Sequence, residues 1–106
     1  MTDHFAVRYT DAARDDLLRL LDFLLDQAQT PEDFDAAQDT VDAIRTAVET
    51  HLVRTPFIFR KVGASPFLRE LVVPLRRTGY VAMYEIEAGN TVTILAIRHQ
   101  REDDYH

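Results

Sequence analysis

A chain of 106 residues with 46% hydrophobic residues is one domain by size, with apolar material for a single modest core and too little for two. It contains no cysteine, which excludes a disulfide framework, a thiol nucleophile and a thiolate metal site, and makes a reducing cytoplasm its natural setting. The net charge of −6 hides an asymmetry: residues 1–51 carry 4 Arg or Lys against 12 Asp or Glu (−8), whereas residues 52–106 carry 8 against 6 (+2). The surface as a whole is therefore not that of a nucleic-acid binder, and any basic patch is local.

No apolar run approaches the roughly 18 residues of a membrane span. Met1-Thr2-Asp3-His4 has no signal-peptide character, so a soluble cytosolic protein is expected. Phe5-Ala6-Val7-Arg8-Tyr9 alternates apolar and polar residues, predicting a first strand with Phe5, Val7 and Tyr9 on one face, at an edge or beside the C-terminal sheet.

Thr10-Asp11 offers a helix N-cap, and Asp11, Asp15 and Asp16 supply the negative charge that a helix N-terminus favours. Ala13, Leu17, Leu20, Leu21, Leu24 and Ala28 recur at helical spacing, predicting a first helix to about Gln29. Leu18, Phe23 and Leu25 widen its apolar face, either into the core or towards another chain. Thr30-Pro31-Glu32-Asp33 starts a second helix, with Thr as cap, Pro at the first helical position and acids next. Its stripe is Phe34, Ala37, Val41, Ile44, Val48 and Leu52, and Arg54-Thr55-Pro56 stops it. So short a connection folds the two helices back antiparallel.

Phe57-Ile58-Phe59 is a candidate short strand, and Arg60 to Ser65 reads as a basic loop leading into the sheet. Leu71 to Leu75, Tyr80 to Ile86 and Thr91 to Ile97 are strand-like in composition. Arg76-Arg77-Thr78-Gly79 supplies a first turn and Glu87-Ala88-Gly89-Asn90 a second. The expected fold is α+β, ordered β-α-α-β-β-β, with the N-terminal strand and helical hairpin packed on a small antiparallel sheet.

Arg60, Lys61, Arg69, Arg76, Arg77, Arg98 and Arg101 form the one basic cluster. In a metal-free nuclease such groups hold the scissile phosphate and stabilise its growing charge, while His99 and Tyr105 move protons. The plainer reading makes them solvated charges, some paired with Glu70, Glu85 and Glu102. Tyr80 and Tyr84 share a face of the middle strand, for core packing or contact with a bound peptide. His99, Asp103, Asp104 and His106 have metal-like spacing but sit in a terminal tail, and neither a metal nor a cofactor is expected.

Arg69-Glu70-Leu71-Val72-Val73, the Gly79-Tyr80 pair with Tyr84 four residues on, the strand Val92 to Ile97 and the tail Arg98-His99-Gln100-Arg101-Glu102 closed by Tyr105 together resemble the RelE/ParE superfamily of toxins from type II toxin–antitoxin pairs. The resemblance implies the fold above and a cognate ParD-like antitoxin that folds on binding to form a hetero-oligomer. For the RelE branch it implies ribosome-dependent mRNA cleavage, with His99, Arg101 and Tyr105 as catalytic residues. For the ParE branch it implies inhibition of DNA gyrase without nuclease chemistry. In either branch Arg60, Lys61, Arg69, Arg76, Arg77, Tyr80, Tyr84 and Arg98 are candidates for contact with target or antitoxin. RelE-type toxins carry paired lysines before the Gly-Tyr pair and an arginine just after it, where this chain has Val72, Pro74 and Val81. That difference and the long acidic hairpin favour the ParE branch, in a plasmid-stabilising role. A nuclease, and an interaction module that has lost toxicity, remain open.

Overall fold

The structure, a computed structural model, describes residues 4–75 and 78–100. Five strands and two helices follow one another as β1 (Ala6–Tyr9), α1 (Asp11–Asp26), α2 (Pro31–Leu52), β2 (Arg60–Lys61), β3 (Leu68–Leu75), β4 (Thr78–Glu87) and β5 (Thr91–His99). A single 3-10 turn at Pro56–Ile58 leads from α2 to β2.

Both helix starts are set by threonine. Thr10 Oγ1 accepts the Ala13 N–H at 3.1 Å while donating to the Ile94 carbonyl at 3.1 Å, so one hydroxyl caps α1 and ties it to the sheet. At α2, Thr30 and Asp33 form a capping box. The Asp33 carboxylate accepts the N–H groups of Gln29 at 2.9 Å and Thr30 at 3.2 Å, and these bonds, that of Gln29 above all, hold its pKa below the usual carboxylate value. Those bonds explain why α1 ends at Asp26 rather than at Gln29, whose N–H already belongs to the next helix's cap.

The sheet order is β1-β5-β4-β3-β2. β2 to β5 are antiparallel neighbours, whereas β1 pairs parallel with β5, Ala6 opposite Thr91 and Tyr9 opposite Ile94. Two expectations change between α2 and β3. Phe57-Ile58-Phe59 is not a strand, because Pro56 opens a 3-10 turn there, and Arg60-Lys61 is not loop but a fifth, edge strand. Gly79 also lies inside β4, opposite Pro74, rather than in the turn. A side chain at position 79 would run into the Gln100 amide and press on the Val73 carbonyl oxygen at 3.3 Å. The second hairpin forms as expected, with Gly89 and Asn90 at φ of 80° and 57°.

The helices cover one face of the sheet. Ala13 and Leu17 of α1 and Val41, Ile44, Val48 and Leu52 of α2 meet Leu71, Val73, Tyr80, Ala82, Tyr84, Ile86, Val92, Ile94 and Ile97. Val7 and Tyr9 of β1, and Phe5 just before it, pack against the same core. In β5 the pairing steps from Met83 with Ala96 to Tyr84 with Ile94, which leaves Leu95 as an extra residue. This bulge turns Ile97 inward where strict alternation from Val92 and Ile94 would turn it out. Phe34, expected in the apolar stripe of α2, is 50% exposed in the first turn of the helix.

Candidate functional site

Between α1 and the end of the sheet lies a groove of about 770 Å³, within the range of ligand-binding clefts. Leu20, Phe23 and Leu24 line it from α1, with Thr78, Tyr80, Ile97, Arg98 and His99 from the sheet and Asp16 and Arg19 at the rim. A second recess of about 540 Å³, lined by Leu24, Asp39, Thr40, Ala43, Leu75, Thr78 and Tyr80, adjoins it. The two share Leu24, Thr78 and Tyr80, so the apolar surface runs round the tyrosine from one helix to the other.

Specific bonds set the groove's shape. The Asp16 carboxylate accepts the Ile97 N–H at 2.9 Å, just past the bulge, and pairs with Arg19 one turn on. The helix is thereby fastened to the strand at the rim. His99 Nε2 lies 2.6 Å from Thr78 Oγ1, and the imidazole meets the Tyr80 ring edge-on at 5.2 Å between centroids. Burial raises the pKa of the Tyr80 phenol, so it stays neutral here and serves as an apolar wall with a polar tip. Phe23 is 57% exposed, an apolar ring left at the edge of the groove.

Among the described residues, the basic candidates do not converge. Arg60, on the open face of the sheet, the one away from α1 and α2, pairs with Glu70, its neighbour on β3. Arg98 is opposite Val81 on that same face, but β2 and β5 stand three strand spacings apart, about 14 Å, too far for one phosphate. Arg69 faces the other way. Its guanidinium donates to the carbonyls of Phe57 and Phe59 at 2.8 Å each, its Nε to Pro66 at 2.8 Å, and its carbon lies 5.5 Å from the Phe57 ring centroid. It is a brace for the Phe57 to Phe67 segment, with those donors spent on the chain itself. Lys61, opposite Arg69, is exposed. Arg76, Arg77, Arg101 and Tyr105, with Asp103, Asp104 and His106, lie outside the described residues.

Tyr80 and Tyr84 do share the core face, as their spacing predicted. Tyr84, however, is fully buried and offers no surface to a partner. Its hydroxyl donates to the Pro56 carbonyl at 2.5 Å, pinning the sheet to the turn after α2, and burial pushes its pKa up to about 12 against a smaller opposing effect of Arg69. Asp16, Arg19, Leu20, Thr78 and Ile97 are groove residues that sequence reasoning passed over. Asp16 had looked like one more helix-start acid, and nothing local separates it from Asp15. Among the described residues no group of His and acidic side chains could hold a metal ion, and no helix is long and apolar enough to cross a membrane.

Val72 lies opposite Val81 and Pro74 opposite Gly79, which puts Val72, Pro74 and Val81 together on the face away from α1 and α2, with Val72 and Pro74 exposed and Val81 buried between its neighbours. His99, opposite Tyr80, belongs to the covered face. The places that would carry cations in a RelE-type nuclease are thus apolar, and the histidine is on the other side of the sheet.

Two solved structures share this architecture. One is the chromosomal ParDE toxin–antitoxin system of P. aeruginosa, 20% identical, with a TM-score of 0.70 over 92% of this chain and 98% of that one. The other is the RelBE2 toxin–antitoxin complex of Mycobacterium tuberculosis, 22% identical, with a TM-score of 0.59 over 92% of each chain. The fold is that of the RelE/ParE superfamily of toxins. Residues 7–104 match the family described as the ParE toxin of the type II toxin–antitoxin system parDE, and the chain belongs to that family. No curated protein matches it in sequence.

Proposed function

We propose that this ParE-family toxin inhibits DNA gyrase without nuclease chemistry and is neutralised by a cognate ParD-like antitoxin whose apolar segment fills the groove beside Tyr80. The observation that carries the reading is the sheet's open face. Val72, Pro74 and Val81 stand where a phosphate would need positive charge, and His99 is turned away beneath α1. Stabilising the charge of a phosphoryl transition state needs cations placed in advance within a few ångströms of one another. Arg60 and Arg98 do not meet that condition.

The groove suits a peptide better than a small polar substrate. It is wide, mostly apolar and edged by Phe23, and a disordered segment laying an amphipathic helix across it would bury that edge. Cytoplasmic location and a role in plasmid stabilisation follow from the same reading. Inducing the chain alone in bacteria tests it. Growth arrest with an SOS response and altered plasmid supercoiling, relieved by co-expressing the neighbouring gene, is the expected result. Arrest with cleaved messages and normal supercoiling would overturn the reading in favour of a nuclease.

A further inference from the structure

At the opposite end of the sheet from the groove is a second surface of different character. Phe57, Ile58 and Phe67 are 47%, 71% and 50% exposed there. The phenylalanine rings form a chain, Phe5 against Phe57 and Phe57 against Phe67, each pair edge-on with centroids 6.3 Å apart, and Ile58 follows Phe57 in sequence. Apolar side chains this exposed, and this close together, lower the solubility of a free protein and mark contact sites. The segment is also held in shape by the three carbonyl bonds of Arg69, so a partner meets a preformed surface and loses little to ordering it.

The stretch of chain that builds this surface differs in charge from the molecule as a whole, although Glu85, opposite Leu68, and Glu87 lie at the same end of the sheet. From Thr50 to Arg69 the chain has four Arg or Lys and no Asp or Glu, although its net charge is −6. Arg60 is answered by Glu70 and Arg69 by the carbonyls, while Arg54 and Lys61 stand exposed. An apolar centre with a cationic rim complements an acidic segment bearing aliphatic or aromatic side chains. Nucleic acid fits less well, since with Arg60 engaged by Glu70 the two other exposed cations, Arg54 and Lys61, give little phosphate attraction.

We infer that the Phe57-Ile58-Phe67 surface, with Arg54 and Lys61, docks the toxin's protein target through an acidic, apolar-bearing segment, and that it is separate from the groove that takes the antitoxin. The inference rests on the chain being an active toxin with a protein target. It implies that the antitoxin neutralises without covering this end of the sheet, by obstructing the approach of the target.

The test is the double variant Ile58→Asp, Lys61→Glu, both positions exposed, compared with wild type and with Phe23→Asp in the groove. Growth after induction, binding to purified DNA gyrase, antitoxin co-purification and thermal unfolding are measured for all three. The patch variant is expected to unfold and bind antitoxin as wild type does, yet to lose growth arrest and bind gyrase about tenfold or more weakly, as for loss of central interface contacts. A folded patch variant that still arrests growth overturns the inference. So does an equal loss of affinity for a single-stranded RNA probe, or a wild-type dimer in solution that the variant abolishes. If wild type arrests growth but leaves gyrase untouched, the gyrase reading fails by itself, and survival of the patch variant still decides whether this surface meets the target. No arrest by wild type overturns both.

Discussion

Tyr84 does more for this fold than for any partner. It is fully buried, and its hydroxyl gives the Pro56 carbonyl a donor that no water can supply at that depth. Replacing it with Phe should therefore cost about 1–2 kcal/mol in urea unfolding, the penalty for leaving a buried carbonyl unpaired. The same burial makes stability depend on alkaline pH. A tyrosine in the unfolded chain loses its proton near pH 10, whereas folded Tyr84 holds it to about 12. Its contribution is complete below pH 10 and is lost as pH rises through that window, because the unfolded state is then favoured by ionisation. Tyr9 and Tyr80, also raised by burial, act in the same direction. Thermal unfolding followed from pH 8 to 12 should show a fall above pH 10 that is shallower in Tyr84→Phe. His99 is the other residue whose role can be decided singly. His99→Ala should leave growth arrest intact, whereas a nuclease dependent on that imidazole would lose it.

α1 and β5 are joined at the level of elements by the Thr10 hydroxyl at the start of the helix and, further along it, by one carboxylate, that of Asp16. The bulge at Leu95 shifts the alternation of β5, and the Ile97 N–H points to Asp16 on the helix. Asp16→Ala removes the acceptor, so we expect a loss of about 1–3 kcal/mol and faster amide exchange at Ile97. Asp16→Asn, which keeps an oxygen there, should recover much of that loss. Arg19 would lose its anchor in the alanine variant, and the rim of the groove would loosen with it. On the same helix Phe23 is more than half exposed, so Phe23→Asp should change the unfolding midpoint little. It places a charge at the edge of the apolar groove, and co-purification with the antitoxin should drop by about tenfold or more.

Over the whole molecule, the helical hairpin divides the sheet into a covered face and an open one, and the two ends of the sheet differ again. The groove end carries Tyr80 and His99, with acidic Asp16 and Asp39 close by. The other end carries exposed phenylalanines and the stretch with no acidic residue. A net acidic chain can still carry a locally basic stretch, because Debye screening over about 8 Å at physiological salt makes each end respond mainly to its own charges. One fold can carry different chemistries, because the sheet is a scaffold and the chemistry depends on which side chains it displays.

Much of this was set locally and could be read from the chain. The two threonine caps, Pro31, the helical stripes and the Gly89-Asn90 loop each act within a few residues of themselves, so helices and hairpin follow from the sequence. So does the missing charge at Val72, Pro74 and Val81, once strand period fixes their common face. What depended on tertiary structure is what depends on distant partners. Parallel pairing of β1 with β5, recruitment of Arg60-Lys61 as an edge strand, and diversion of Arg69 to the carbonyls of Phe57 and Phe59 are contacts made across the chain. The groove is of the same kind, since its floor and rim come from α1, β4 and β5. No single stretch contains the bulge together with the Asp16 carboxylate that answers it, which is why that bond is visible only in the folded molecule.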